Sequence, residues 1–457
     1  MFLPDLVVRS QRVVTPQGTR AAAIHIRKGR VIGVLGVDDV PPGCPLDDAR
    51  DAVVIPGVVD THVHTLGRID GTEAFEAATR AAAAGGVTTI VDMPFPGPAT
   101  TTLAALESKR RAAKGRCFVD VGFWGGAVSD NTRDLAALYE AGVLGFKCTL
   151  VPAISKDFPH VSAADLRIMM PGLTRIGATL LAHAELAGPI AEAEARQHAE
   201  RRWFARGPWT SGRTRYASYL QRRPRAAENE AIALLIQLCR ECRTRTHVVH
   251  LSSSDALTPL FHARSAGLPI TAETCPHYLN FVADEVGRDA TMMFMCAPPI
   301  RERDNREFLW AAVAHGLIHM VVSDHADGRR QANGGFGACG LPSLQFCLPA
   351  TWTGARTRGY ALHQVVDWMC RAPAQLAGLT RKGQIDVGYD ADVVVLDADA
   401  EFTVEAALLD GLHQRTPYIG RRLWGVVERT YLRGVEVYSR SRVCGPPRGR
   451  LLVRGES

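Results

Sequence analysis

The sequence predicts an α/β protein, a (β/α)8 TIM-type barrel with a small β-sandwich domain built from both chain termini. Three observations predict it. Through the middle of the chain, eight short β-branched runs alternate with helical stretches, at 53–63, 88–93, 118–123, 145–150, 179–183, 246–251, 269–274 and 319–323. Toward both ends the rhythm changes to short strands and turns. Reactive side chains sit where the middle runs stop, which is where a barrel of this kind carries its chemistry.

The first 52 residues hold short apolar runs at 6–8, 22–26 and 30–34, with a turn at Lys28-Gly29 and a break at Pro41-Pro42-Gly43. A matching segment returns at 391–396 and 426–438, with a turn at Arg433-Gly434. Neither end has enough strands to close a sheet alone, so each is the other's partner. The expected division is 1–52 plus 383–440 for the sandwich, 53–382 for the barrel, and a basic tail over 441–457. Helices are expected between the barrel runs, for example over 73–84 and 228–242. Cys239 and Cys242 fall inside the second of these and lack another pair, so they read as packing.

A chain of 457 residues can bury a large core. Its 46% apolar and 22% charged residues are ordinary for a globular enzyme. A formal net charge of +6 is too mild over this length to mark a nucleic-acid binder. Arginines cluster at 213–225 and 440–454, and both clusters read as solvated surface. The eleven cysteines are scattered, no basic-then-apolar leader opens the chain, and no run approaches the ~18 apolar residues of a bilayer span. These features predict free thiols, a cytoplasmic location and no membrane partner.

The first barrel run ends in Asp60-Thr61-His62-Val63-His64. Side chains two apart on a strand point the same way, so His62 and His64 offer two imidazoles to one side. Neutral imidazoles suit a borderline-soft divalent cation such as zinc. The fourth run carries Lys147 in an otherwise uncharged strand, where lysine is rare unless paired or modified. The fifth ends in His183 and Glu185, and the sixth carries His247 and His250. The seventh ends in Glu273 and His277, and the eighth in Asp324 and His325. Each taken singly reads as structural; six such ends among eight runs predict a metal centre.

His62, His64, His183 and His250 suffice for two metals only if another group bridges them. Lys147 as an ammonium cannot ligate and would repel cations. As a neutral amine it can react with carbon dioxide, and the carbamate offers one oxygen to each metal. Asp324 can complete one metal's ligands and face the attacking water. Two metals about 3.5–4 Å apart can hold a bridging hydroxide. That hydroxide would attack an amide carbonyl, with Asp324 moving the proton to the leaving nitrogen. The predicted reaction is metal-assisted hydrolysis of a C–N bond. No dinucleotide-binding glycine fingerprint follows a strand, no Walker pattern occurs, and Ser252-Ser253-Ser254 lacks a nucleophile elbow.

Taken together, these motifs resemble the cyclic amidohydrolases, and among them the allantoinases, with dihydroorotases and dihydropyrimidinases (hydantoinases) as relatives. The likeness runs from about residue 6 to 438 and is carried by 60–64, 81–94, 142–148, 183–185, 223–232, 247–253, 273–279, 298–301, 322–325 and 382–395. It implies two divalent metals, most often zinc, a carboxylated Lys147, a homo-oligomer (tetramer or dimer), and a small cyclic amide or ureide as substrate. By motif position it implies the same ligands: His62, His64, Lys147, His183, His250 and Asp324. It places His247 and His277 outside the ligand set.

Four departures from the family pattern fall on loops expected to border the pocket. Thr65-Leu66-Gly67-Arg68 replaces an Asn-Glu-Pro-Gly run, and Phe95-Pro96-Gly97 a Leu-Asn-Ser stretch. Met295 stands near where a lysine is common before Pro298, and Ala326-Asp327-Gly328 replaces Ser-Pro-Cys. Arg68, Phe95, Met295 and Ala326 are therefore candidate substrate contacts. None of the four changes touches a ligand, so chemistry is retained while specificity is open. The expected reaction is allantoin to allantoate. The alternative is a cyclic amidase for another ring, a hydantoin, dihydropyrimidine or specialised lactam, and possibly a ring-closing one. A non-catalytic scaffold on this fold would be expected to lose ligands, and all six are present.

Overall fold

The computed structural model describes residues 3–65, 71–152, 157–204, 215–286, 292–326, 340–410, 415–439 and 442–455. Two kinds of sheet organise it. The ends of the chain share one nine-stranded sheet. Its order is Arg442–Val443, Val435–Ser439, Arg422–Leu432, Val393–Thr403, Val53–Pro56, Leu6–Thr15, Gly18–Arg27, Arg30–Leu35, with Leu46–Asp48 beside Leu6–Thr15. The middle of the chain forms parallel strands with helices between them.

The run at 53–63 is two strands and not one. Val53–Pro56 lies in the terminal sheet, antiparallel to Val393–Thr403 and parallel to Leu6–Thr15, and it joins the two ends of the chain. Val58–Val63 is the first parallel strand. The break has a local cause. Pro56 has no N–H to donate, and Gly57 passes so close to Thr88 that a Cβ there would lie 2.1 Å from its hydroxyl oxygen.

The parallel strands follow in order: Val58–Val63, Val87–Asp92, Asp120–Phe123, Phe146–Thr149, Leu180–His183, Thr246–Val248, Ile270–Thr274 and Met320–Val321. The first three pair as one sheet, and the last five, with the short Gly125–Gly126, as another. The Leu144 N–H donates to Phe123 O at 3.0 Å where the two sheets meet. At the other edge Val63 bridges His325, whose carbonyl accepts from His64 N–H at 2.8 Å. The strands are short and mostly buried, those at Val58–Val63, Val87–Asp92 and Phe146–Thr149 at every residue.

The helix Ala163–Ile176 shows how the sequence sets such an element. Ser162 and Asp165 form a capping box, and Gly177 ends the helix at φ 69°. Leu166, Met169, Met170 and Leu173 recur at helical spacing on its buried side. In Arg225–Cys242 the buried set includes Ala231, Leu235, Leu238 and Cys239, so Cys239 is a packing residue. Among the described residues no helix is long and apolar enough to cross a membrane, and ten cysteines carry free thiols.

Of the two basic stretches, Arg222, Arg223 and Arg225 are partly buried, while Arg442, Arg448, Arg450 and Arg454 of the tail are exposed, as expected. Arg223 is paired with the fully buried Glu185, and Arg225 with Asp255 and Glu302. The C-terminal tail runs beside the third parallel strand, where Gly449 N–H donates to Cys117 O, Val121 N–H to Arg450 O and Leu452 N–H to Val121 O. Gly449 is required there, since a Cβ would lie 1.9 Å from Val119 O. The guanidinium of Arg454 stacks 3.9 Å from the Tyr139 ring centroid. Backbone pairing thus docks the tail while its arginines stay exposed.

Candidate metal centre

Four imidazoles from three strand ends converge. Ring centroids lie 5.5 Å apart for His62 and His64, 5.4 Å for His62 and His250, and 4.7 Å for His183 and His250. His62 and His64 come from alternate positions of one strand, as the period of two requires. His62 Nε2 and His64 Nε2 approach the same oxygen, Asp324 Oδ1, at 3.1 and 3.6 Å. His183 Nδ1 lies 2.9 Å from His250 Nε2. Lys147 is 2% exposed, and burial is the largest cause that lowers the pKa of His183 and of His250.

The opposite nitrogens of three rings are already engaged. His62 Nδ1 lies 2.5 Å from Glu273 Oε1, His64 Nδ1 2.5 Å from the Phe95 carbonyl, and His183 Nε2 2.8 Å from Glu185 Oε2. A carboxylate or carbonyl can only accept, so each of these nitrogens carries the proton. When each ring is neutral, His62 Nε2, His64 Nε2 and His183 Nδ1 are the nitrogens that present lone pairs inward, which is how ligating histidines are oriented.

The electrostatics fit a cation. Burial disfavours charge on His62, yet Asp324 and Glu273 outweigh it and raise its pKa to about 9. Burial also opposes ionisation of Glu273, but His62 and His247 bring it down to about 2. Positive charge is thus favoured between these carboxylates. Asp324 Oδ2 is buried with no hydrogen-bond partner among the described residues, although its carboxyl is held well below the usual range. A buried, ionised oxygen without a donor is the mark of a site shaped for a metal ion. His62, His64 and Asp324 could hold one cation, and His183, His250 and Lys147 lie beside them.

Backbone strain is concentrated at the same place. His250 has φ 42° and Asp324 φ 47°, a left-handed conformation rare for residues with a Cβ. His250 therefore lies beyond the sixth strand, Thr246–Val248, although the run at 246–251 reads as one strand. Gly340 is pressed against Asp324, where a Cβ would lie 1.5 Å from Asp324 O, and Leu341 N–H donates to that oxygen at 3.1 Å. Asp60 ties the first strand to the eighth by accepting from His62 N–H and Ser323 N–H.

The candidate substrate contacts divide. Phe95 is half-buried, its ring 5.4 Å from that of His64 and stacked at 4.5 Å on Phe158. Ala326 is 9% exposed, one turn of chain beyond Asp324. Met295 is fully buried in the main apolar core. Arg68 lies outside the described residues. His247 donates toward Glu273 Oε2 at 3.0 Å, behind His62. His277 is fully buried near Asp324, with neither ring nitrogen hydrogen-bonded among the described residues. Asp60, Glu185, Arg223, Glu273 and Gly340 were given no role from sequence. For Glu273 a signal existed: Thr271 pairs in register with His247, so Glu273 shares their face two positions on.

The known proteins that this chain is similar to bear on the same residues. Residues 53–437 match the amidohydrolase family model. An allantoinase of Streptomyces avermitilis is 44% identical, over 98% of this chain and 99% of its own length. An allantoinase of Arabidopsis thaliana is 36% identical, over 96% of this chain and 90% of its own. Among solved structures, an L-hydantoinase (dihydropyrimidinase) from Arthrobacter aurescens superposes with a TM-score of 0.89 at 30% identity, covering 99% of this chain and all of that one. With ligand-type side chains gathered at the ends of its parallel strands and a family match over most of its length, the chain belongs to the amidohydrolase family.

Proposed function

We propose that this protein is a binuclear-metal hydrolase that opens the ring of allantoin to allantoate. The convergence of His62 Nε2 and His64 Nε2 on one Asp324 oxygen, beside the His183–His250 pair, carries the reading. The similarity to allantoinases over nearly the whole chain selects the substrate. His62, His64 and Asp324 would hold one cation, and His183 and His250 the other, with zinc the metal that suits these donors. Lys147, as a neutral amine, could add CO2 with loss of a proton, and the carbamate would offer oxygen donors to the same set. When bound, the cations supply Lewis acidity toward a water and toward the amide carbonyl. Asp324 accepts the water's proton and returns it to the leaving nitrogen as the C–N bond breaks. Glu273, Glu185 and the Phe95 carbonyl keep the imidazoles in the tautomers this requires.

The same reading covers the architecture. The eight parallel strands form one (β/α)8 barrel, supported by the Phe123–Leu144 hydrogen bond on one side and the Val63–His325 bridge on the other. The terminal sheet forms a flanking sandwich, now reaching to residue 56, and the assembly is a tetramer or dimer. The free thiols favour a reducing cytoplasm.

A second reading rests on one observation. Phe95 puts an apolar ring against His64, at a loop where polar contacts are usual in the resembling family. That favours a ring with an apolar substituent, a hydantoin or lactam. Zinc-loaded protein assayed on allantoin, 5-substituted hydantoins and dihydrouracil decides between them. Allantoin turnover with kcat/KM of about 10⁴ M⁻¹s⁻¹ or more is expected. Turnover of a hydantoin with none of allantoin overturns the allantoin reading.

A further inference from the structure

The two imidazole pairs are backed by carboxylates in unlike surroundings. We propose that the cation position at His183 and His250 is the weaker, last-filled one, and that Arg223 sets the difference. This inference rests on the two-cation reading.

Behind His62, Glu273 accepts from two imidazoles and, at 3.4 Å, from the His250 backbone N–H. Oε1 takes His62 Nδ1 and Oε2 takes His247 Nε2, whose other nitrogen meets Thr271 Oγ1 at 2.7 Å. Among the described residues Glu273 pairs with these two histidines and with no arginine or lysine. Its charge passes through the hydrogen bond into His62 and strengthens it as a donor. Asp324 adds a second carboxylate at the same position.

Behind His183 the arrangement is inverted. Glu185 Oε2 accepts from His183 Nε2 and also from Arg223, while Oε1 has no partner among the described residues. A guanidinium never loses its charge in a protein. It draws electron density from the very oxygen that should polarise His183, and its field reaches a cation beyond that ring. Arg301, paired to Glu228 close by, adds to the same field at Glu185. Among the described residues, the first position therefore faces two carboxylates paired with histidines alone, the second one carboxylate already matched by Arg223. Little solvent screens either. Arg223 is a positioning residue acting through Glu185, and its consequence is an order of loading.

The test uses the full chain stripped of metal and titrated with Co²⁺, followed by visible absorption and by metal analysis after equilibrium dialysis. Two equivalents are expected, with affinities at least about tenfold apart, since outer partners of ligating histidines are worth about 10–100-fold. Arg223→Met should draw the two steps together by tightening the weaker. Arg223→Lys keeps the charge and should keep the wild-type spacing. Glu273→Gln should weaken the tighter step alone. Two equal sites in the wild type overturn the inference and leave the two-cation reading standing; so does an Arg223→Met spacing like the wild type's. If Arg223→Met does not fold, a Glu273→Gln loss that falls on the weaker step overturns it. Uptake of fewer than two equivalents overturns both readings.

Discussion

Replacing Lys382 with Met should destabilise the chain by about 3–5 kcal/mol, the cost of breaking a buried ion pair from one side. Lys382 Nζ lies 2.6 Å from Asp120 Oδ2, 2.6 Å from Asp392 Oδ2 and 3.1 Å from Asp390 Oδ2, with its side chain 1% exposed. Asp120 keeps a second cation, because Arg433 Nη1 reaches it at 2.5 Å. The cost therefore falls on Asp392, whose Oδ2 has Lys382 as its hydrogen-bond donor and is nearly as buried. This cluster joins the start of the third parallel strand, the terminal sheet and the C-terminal tail, whose Arg450 N–H also donates to Asp120. Unfolding by guanidinium, followed by tryptophan fluorescence, measures the change. If stranded charge is the cause, adding Asp392→Asn to Lys382→Met should recover about half of the loss. Burial opposes charge on Lys382, but Asp392 and Asp120 outweigh it and raise its pKa above the usual lysine value. A raised folded-state pKa means the contribution is whole below the unfolded value of about 10.4 and fades as pH climbs beyond it. The gap between wild type and Lys382→Met should thus be flat near neutral pH and shrink above about pH 10.5. A loss below about 1 kcal/mol, the scale of an exposed pair, would refute the reasoning.

Two further substitutions probe the site. Lys147→Ala should remove one of two bound cations and abolish turnover, as metal analysis and activity measure together; full activity excludes the carbamate bridge. Gly340→Ala must displace Asp324 O, 1.5 Å from the new Cβ, and a shift of about 1 Å at Asp324 should lower kcat about 10²-fold with the fold intact by circular dichroism. Unchanged kcat in that variant removes Gly340 from any role in placing Asp324.

The ligand-type residues were legible because strands impose a period and end where barrel chemistry sits. His62-x-His64 and a lone Lys147 in an apolar run are departures from composition that packing does not explain. The split at Pro56-Gly57 was not legible, because an apolar run looks the same in either sheet. Nothing in the run says that Val53–Pro56 pairs with Val393–Thr403. In the tail the arginines are exposed, as their charge suggests, but the docking was not legible, because Gly449 and Leu452 make it through their backbone. Arg223 was invisible for a deeper reason: its partner is 38 residues away, and only the folded chain brings the helix-leading loop over Glu185.

That last point bears on how this site can vary without losing its chemistry. The ligand-type atoms are held by strand ends and by backbone contacts, such as the Phe95 carbonyl on His64 and Gly340 on Asp324. The Phe95 side chain can change while its carbonyl still accepts from His64 Nδ1, because the hydrogen bond belongs to the main chain. A side chain beside the cluster, such as Phe95, can therefore be exchanged while the imidazoles keep their register. The charged partners behind them have no such freedom. Exchanging Glu185, Glu273 or Arg223 leaves a buried charge or an unpaired imidazole, at a cost of about 1–3 kcal/mol or more. Substrate range should thus follow the pocket walls, and metal affinity the carboxylates beneath.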